Sequence, residues 1–364
     1  MDLLKNKFLL TPVIVIALAF CLDKLLLFEN VHTYFSKSLS DINYIQKNQL
    51  YGNLKEYLQR PDRKKVLVYF GNSRALLFDT EYIEAQYPGW TLFNFSVPGG
   101  KSDYTLQWME KFKKDKVKPD FILFDHSVEL YNSSATLSVD ETLTNGLDVF
   151  FVLRHFKLFR SDEISTLIAK RMFRSYQFRP KLEVILKRAM NKEKYVYTYR
   201  DLRNNLFDRL TKNQGSAMTP GTHQAVLPEE LLKKSARGDF HSYLVPFRFS
   251  NSTLEFLDQS IQITKEMSIP CATIWVRLSL PYMDHIRNEL VSVEDNQNMS
   301  IYDYWLPRIL AYQNKINVPF WNMNDDKTYK CNEFSDAGHM SPSCYKDYTN
   351  FIFQRVVSSP VRQK

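Results

Sequence analysis

Glycine is scarce in this sequence, at 10 of 364 residues, against about 7% in an average chain. That excludes a collagen-like or glycine-rich flexible protein, and it makes each glycine worth locating. Cysteine numbers only 4, too few to be the framework of a small disulfide-stapled domain. There is no phosphate-binding loop and no dinucleotide fingerprint, no internal repeat and no low-complexity tract. His32, His155, His223, His241 and His285 stand at no metal-ligand spacing, so neither metal nor cofactor is expected. What is present is globular in composition, with 44% hydrophobic, 14% aromatic and 24% charged residues. The chain is long enough to bury a sizeable core.

One long apolar run stands out, at the N-terminus. Phe8 to Leu22 carries no charge; Asp23 and Lys24 follow, then a second apolar clip from Leu25 to Phe28. A bilayer span takes about 20 mostly apolar residues, and this stretch reaches that length with its two charges near the far end, within reach of the headgroups. Lys5 and Lys7 precede it, so the positive-inside rule keeps the N-terminus cytoplasmic and exports the rest. A cleaved signal peptide and a lipoprotein signal ending at Cys21 are the other readings. Phe20 argues against both, because signal peptidases prefer small residues beside the cut. All three place the globular part outside the cytoplasm, periplasmic or extracellular.

Five segments follow from the pattern: a cytoplasmic tip and signal anchor at 1–28, a polar helix-biased stalk at 29–62, a first α/β part at 63–132, a mostly helical basic insertion at 133–249, and a second α/β part at 250–364. The apolar runs Val66 to Phe70, Trp90 to Phe95 and Asp120 to Phe124 alternate with helical stretches, as does Cys271 to Val276 later. That alternation predicts a parallel sheet built from βαβ units. Charge is concentrated in the insertion. Arg154 to Lys212 holds 16 Lys or Arg against 6 Asp or Glu, a local +10, while the chain as a whole is +8. An exported domain rarely meets nucleic acid and no recognition motif is visible, so a nucleic-acid partner is not expected. An anionic lipid or glycan surface is. Cys331 and Cys344 bracket a short polar loop, and the sequence leaves open a disulfide between them or two unpaired thiols.

Three short motifs at predicted strand ends carry the chemistry-bearing residues. Gly71-Asn72-Ser73-Arg74 ends the first strand, where a serine opening a helix can turn its backbone N–H toward a developing oxyanion. Asn94 to Gly100 ends the second strand and offers the Gly99 N–H for the same task. Asp336-Ala337-Gly338-His339 precedes the last helix; a serine needs a histidine to take its proton, and the histidine needs a carboxylate to fix its tautomer. Each motif alone also reads as an ordinary cap or turn. Together they hold four of the ten glycines.

On these motifs the chain resembles the SGNH (GDSL-type) hydrolase superfamily, and membrane-anchored bacterial SGNH-like proteins in particular. The resemblance covers about 63–132 and 250–357. It implies a three-layer, flavodoxin-like α/β fold with a parallel sheet. It implies Ser73 as nucleophile, His339 as general base, Asp336 as its orienting carboxylate and Gly99 as second oxyanion donor. One block departs: where the family carries G-x-N-D after the third strand, this chain has Asp125-His126-Ser127-Val128-Glu129. His126 or Ser127 is then the candidate third donor, and Arg277, after the Cys271 to Val276 strand, is a candidate for substrate contact. The function expected is a membrane-anchored serine esterase or O-acyltransferase acting on an acyl ester of a cell-envelope glycan or lipid. The alternative is a catalytically inactive envelope-binding or scaffold protein.

Overall fold

The computed structural model describes residues 7–35, 38–134, 141–217, 225–294 and 297–358. Lys5 and His223 lie outside them. The chain divides into two compact units: Met1–Leu39 with Asp148–Asn205, and Ser40–Leu147 with Leu206–Lys364.

The larger unit is built on a five-stranded parallel sheet. Strands β1 (Lys65–Phe70), β2 (Trp90–Asn94), β3 (Phe121–Asp125) and β4 (Cys271–Trp275) are joined by β7 (Phe320–Asn322) in the order β2-β1-β3-β4-β7. All four pairings are parallel. The first three strands are buried almost throughout, as near-continuous apolar runs must be when both sheet faces are covered. On one face Leu67, Tyr69, Leu92 and Leu123 meet Ile352, Phe353 and Val356 of the C-terminal helix Tyr345–Ser358. On the other, Phe70 lies 5.4 Å from Phe95 and 5.8 Å from Phe112, ring centre to ring centre. A small antiparallel pair, β5 (Leu290–Ser292) and β6 (Asn298–Ser300), stands apart from the sheet.

Several helices start where a short polar side chain caps them. Asp79, Ser250 and Ser300 each accept a backbone N–H three residues on, satisfying a donor the helix cannot. The order β2-β1-β3-β4-β7 is a doubly wound arrangement whose crevice opens at the carboxyl ends of β1 and β3, where the order reverses. The GNSR and DHS motifs both lie there.

Two segment boundaries read from the sequence are corrected. Residues 29–62 are not a free stalk: the helix Asp41–Leu58 buries Tyr44, Lys47, Leu50, Tyr51 and Leu54 in the sheet unit. Nor is 133–249 one insertion, since only Asp148–Asn205 falls in the smaller unit. The helix Glu229–Leu244 packs Ala236, Phe240 and Leu244 into a core shared with Tyr282 and Ile286 of the helix Leu280–Asn288. The smaller unit begins with the helix Lys7–Lys24. Leu10–Leu27, with mean hydropathy 2.2 and none of it buried, is long and apolar enough to cross a membrane. A signal sequence near an N-terminus has the same character, so the segment is compatible with single-pass anchoring.

Candidate active site

Asn72, not Ser73, caps the turn after β1. Its Oδ1 accepts the Arg74 N–H at 2.9 Å and its side-chain amide donates to Ser127 Oγ at 2.9 Å. With the cap supplied, Ser73 opens the 3-10 turn Ser73–Ala75 with its hydroxyl uncommitted to the backbone. Its own N–H occupies a position that has no acceptor inside such a turn. Ser73 Oγ lies 2.7 Å from His339 Nε2, although 266 residues separate the two.

His339 Nδ1 is 2.8 Å from both carboxylate oxygens of Asp336. Asp336 Oδ1 also accepts the N–H groups of Gly338 and His339, at 2.9 and 2.8 Å. An acceptor-only carboxylate at Nδ1 puts the ring proton there and leaves Nε2 to accept from Ser73. Both side chains are about a quarter exposed, 22% for His339 and 25% for Asp336, so solvent reaches both.

The loop carrying the histidine is held from several sides. The disulfide Cys331–Cys344 closes it, with Cα atoms 5.5 Å apart. Ser279 N–H donates to the Ala337 carbonyl at 3.1 Å, and the Ala337 N–H donates to Ser235 Oγ at 3.2 Å. Beneath it lies Arg74, whose guanidinium makes a bidentate pair with Glu129 at 2.9 and 2.5 Å. A Cβ on Gly338 would stand 2.8 Å from Arg74 Nη2, so a larger residue here would have to displace a guanidinium that Glu129 holds.

The second motif also packs against the first. A Cβ on Gly100 would lie 2.4 Å from the Gly71 carbonyl oxygen, so the Pro-Gly-Gly turn sits directly beside the strand end that leads to Ser73. Gly99 has φ +65°, a conformation that glycine adopts without strain. The Tyr44 hydroxyl donates to the Pro98 carbonyl, and the Thr142 hydroxyl donates to the Gly99 carbonyl at 2.8 Å. Tyr44 and Thr142 are themselves 3.0 Å apart. In a trans peptide the C=O and N–H point in opposite directions, so fixing the Pro98 carbonyl fixes the direction of the Gly99 N–H.

Three other candidates are engaged elsewhere. Ser127 Oγ is 3.0 and 2.9 Å from the two oxygens of Asp125, to which it donates, and it accepts from Asn72. Burial pushes the Asp125 carboxyl up to about 6, although Arg74 and the Ser127 hydroxyl pull the other way. His126 points into the core: its ring nitrogens meet Tyr131 at 2.7 Å and Gln313 at 2.8 Å, and burial pushes its pKa down to about 3. Arg277 binds the carbonyls of Met323 and Asn324 and the side chain of Asn332, at 3.2, 3.1 and 3.0 Å, clamping the segment after β7. Each of the three is thus held by partners within the fold. Among the described residues no cluster of His, Cys, Asp or Glu could hold a metal ion.

The family model described as "Protein of unknown function (DUF1574)" matches residues 3–356. No curated protein matches the chain.

Proposed function

The chain belongs to the DUF1574 family, and we propose that it is a membrane-anchored, exported SGNH-like serine esterase or O-acyltransferase. The observation that carries this reading is the continuous line Ser73 Oγ to His339 Nε2 and His339 Nδ1 to Asp336, each link 2.7 to 2.8 Å. Its place at the crevice of a parallel sheet supports it further.

In this reading Ser73 Oγ attacks an ester carbonyl as its proton passes to His339 Nε2. Asp336 stabilises the imidazolium that forms, without taking the proton itself. The Ser73 and Gly99 N–H groups face the oxyanion. Collapse returns the proton from His339 to the departing alcohol and leaves an acyl-serine. Water then gives hydrolysis, or a second hydroxyl gives transfer, by the same steps in reverse. The substrate class is an acyl ester on an envelope glycan or lipid.

The block after β3 favours a second reading. His126 and Ser127 are both held by other partners, and an oxyanion site left without either as a side-chain donor suits an inactive binding module. Labelling with a fluorophosphonate separates the two. Covalent modification at Ser73, absent in Ser73→Ala, whose ester turnover should fall by several orders of magnitude, is the expected result. A folded protein that neither labels nor turns over a small aryl ester sinks the catalytic reading.

A further inference from the structure

The smaller unit ties its helices to the end of the apolar span. Asp23 accepts the N–H groups of Arg174 and Ser175, at 2.6 and 2.7 Å, so a charge within the span caps the helix Arg174–Phe178. Phe20 of the span meets Phe173 with ring centres 6.3 Å apart. The next helix, Leu182–Met190, is held to the segment just beyond the span, because Arg188 Nη1 donates to the Thr33 carbonyl at 2.6 Å.

Asp23 precedes Leu27, the last residue of the apolar window, by four positions, about 6 Å along a helix axis. The capped helix therefore sits within about 6 Å of the level where the span ends, which is the depth of an interfacial helix.

These helices leave apolar stripes uncovered. Leu182, Leu186 and Met190 are 70%, 52% and 81% exposed, and spacing by four puts them on one helix face. Phe150 and Leu153 on the helix Val149–Arg154, with Phe156 in the short 3-10 turn Phe156–Leu158 that follows, are likewise exposed, at 72%, 50% and 53%. Basic residues flank both stripes, among them Arg154, Lys157, Lys181 and Lys187.

We infer that the unit Met1–Leu39 with Asp148–Asn205 is a membrane-interface module. Its two apolar stripes lie in the boundary between headgroups and acyl chains of the leaflet where the span ends, and its basic residues hold anionic headgroups. The inference rests on the span and is independent of the catalytic reading.

The test uses the full chain, with Cys21→Ala and Cys271→Ala, reconstituted into phosphatidylcholine vesicles with and without phosphatidylglycerol. An environment-sensitive label is placed at Leu186→Cys or, for reference, at exposed Lys346→Cys. The expected result is quenching by shallow spin-labelled lipid at 186 at least about twofold above that at 346, as insertion to interfacial depth requires. It should be stronger with phosphatidylglycerol and weaker at roughly 1 M salt, where screening shortens to about 3 Å. Equal quenching at the two positions overturns the proposal, as does quenching at 186 indifferent to both lipid charge and salt. Energy transfer between labelled copies without lipid quenching also overturns it, and assigns the stripe to a second copy of the chain.

Discussion

Arg74 and Glu129 form a buried pair beside the proposed nucleophile, and their energetics follow from where they lie. Burial alone would push the Glu129 carboxyl up; the charge and hydrogen bonds of Arg74 overcome this and hold it below its ordinary value. Removing one partner leaves the other charge buried without compensation, at a cost of about 3–5 kcal/mol. Arg74→Met should therefore lower the denaturant midpoint strongly, whereas Arg74→Met with Glu129→Leu should recover most of it. Labelling at Ser73 should stay low in both, because the guanidinium under Gly338 is gone. A double variant that labels at the wild-type rate would remove any role of the pair in holding the His339 loop.

Lys47 gives a prediction with a sign in pH. It is fully buried, donates to the carbonyls of Asn94 and Gly215 at 2.7 Å each, and burial pushes it down to about 7. A lysine with folded pKa below its unfolded value of about 10.4 binds fewer protons folded than unfolded between the two. Stability should therefore be lowest below about pH 7 and rise from there toward about 10. Denaturation midpoints measured across that window should climb in the wild type and climb less in Lys47→Met; identical slopes would assign the pH dependence to other groups.

Ser73, Gly99, Asp336 and His339 could be picked out in the sequence because each follows an apolar run or precedes the last helix. Arg74 and Glu129, 55 residues apart, share no local pattern that would pair them. Nor does position after β3 say that His126 turns to Tyr131 and Gln313, or Ser127 to Asp125: a strand end fixes where a backbone goes, not which way each side chain turns.

At the scale of elements, strands were easier to find than the helices that support the site. β1 to β4 are short apolar runs, and burial on both faces needs nothing else of them. The helix Asp41–Leu58 looks polar because what it buries includes Asn43, Gln46 and Lys47, so its inner face carries no apolar period. Yet this helix supplies Tyr44, whose hydroxyl orients the Pro98–Gly99 peptide. If Gly99 is an oxyanion donor, Tyr44 is a positioning residue for it. Tyr44→Phe should lower kcat for an aryl ester roughly tenfold with KM little changed, less than the 10²–10³ lost with a donor itself. The fold should lose about 1 kcal/mol, the worth of one hydrogen bond. A fall in stability with kcat unchanged would make the contact purely structural.

Charge divides the whole molecule as sharply as its contacts do. The unit Met1–Leu39 with Asp148–Asn205 has 18 Lys or Arg and 9 Asp or Glu, or +9. Subtracting these from the chain totals of 48 and 40 leaves 30 and 31, or −1, for the sheet unit. All the residues of the proposed triad, its supporting ion pair and both glycine turns belong to the nearly neutral unit. A chain of residues 40–147 joined to 206–358 by a Gly/Ser linker keeps all of them. Because the join falls inside the helix Thr198–Lys212, the linker should end in Asp to cap the new helix start. A linker of about 15 residues spans roughly 20 Å on average. This protein should fold, stay in solution without detergent, pass unretained through a cation exchanger that holds the full chain, and label at Ser73 if the full chain does. Solubility with lost labelling would mean that the basic unit completes the site. Aggregation with loss of the native circular-dichroism signal would mean that the sheet unit does not stand alone, and that the division by charge is not a division in folding.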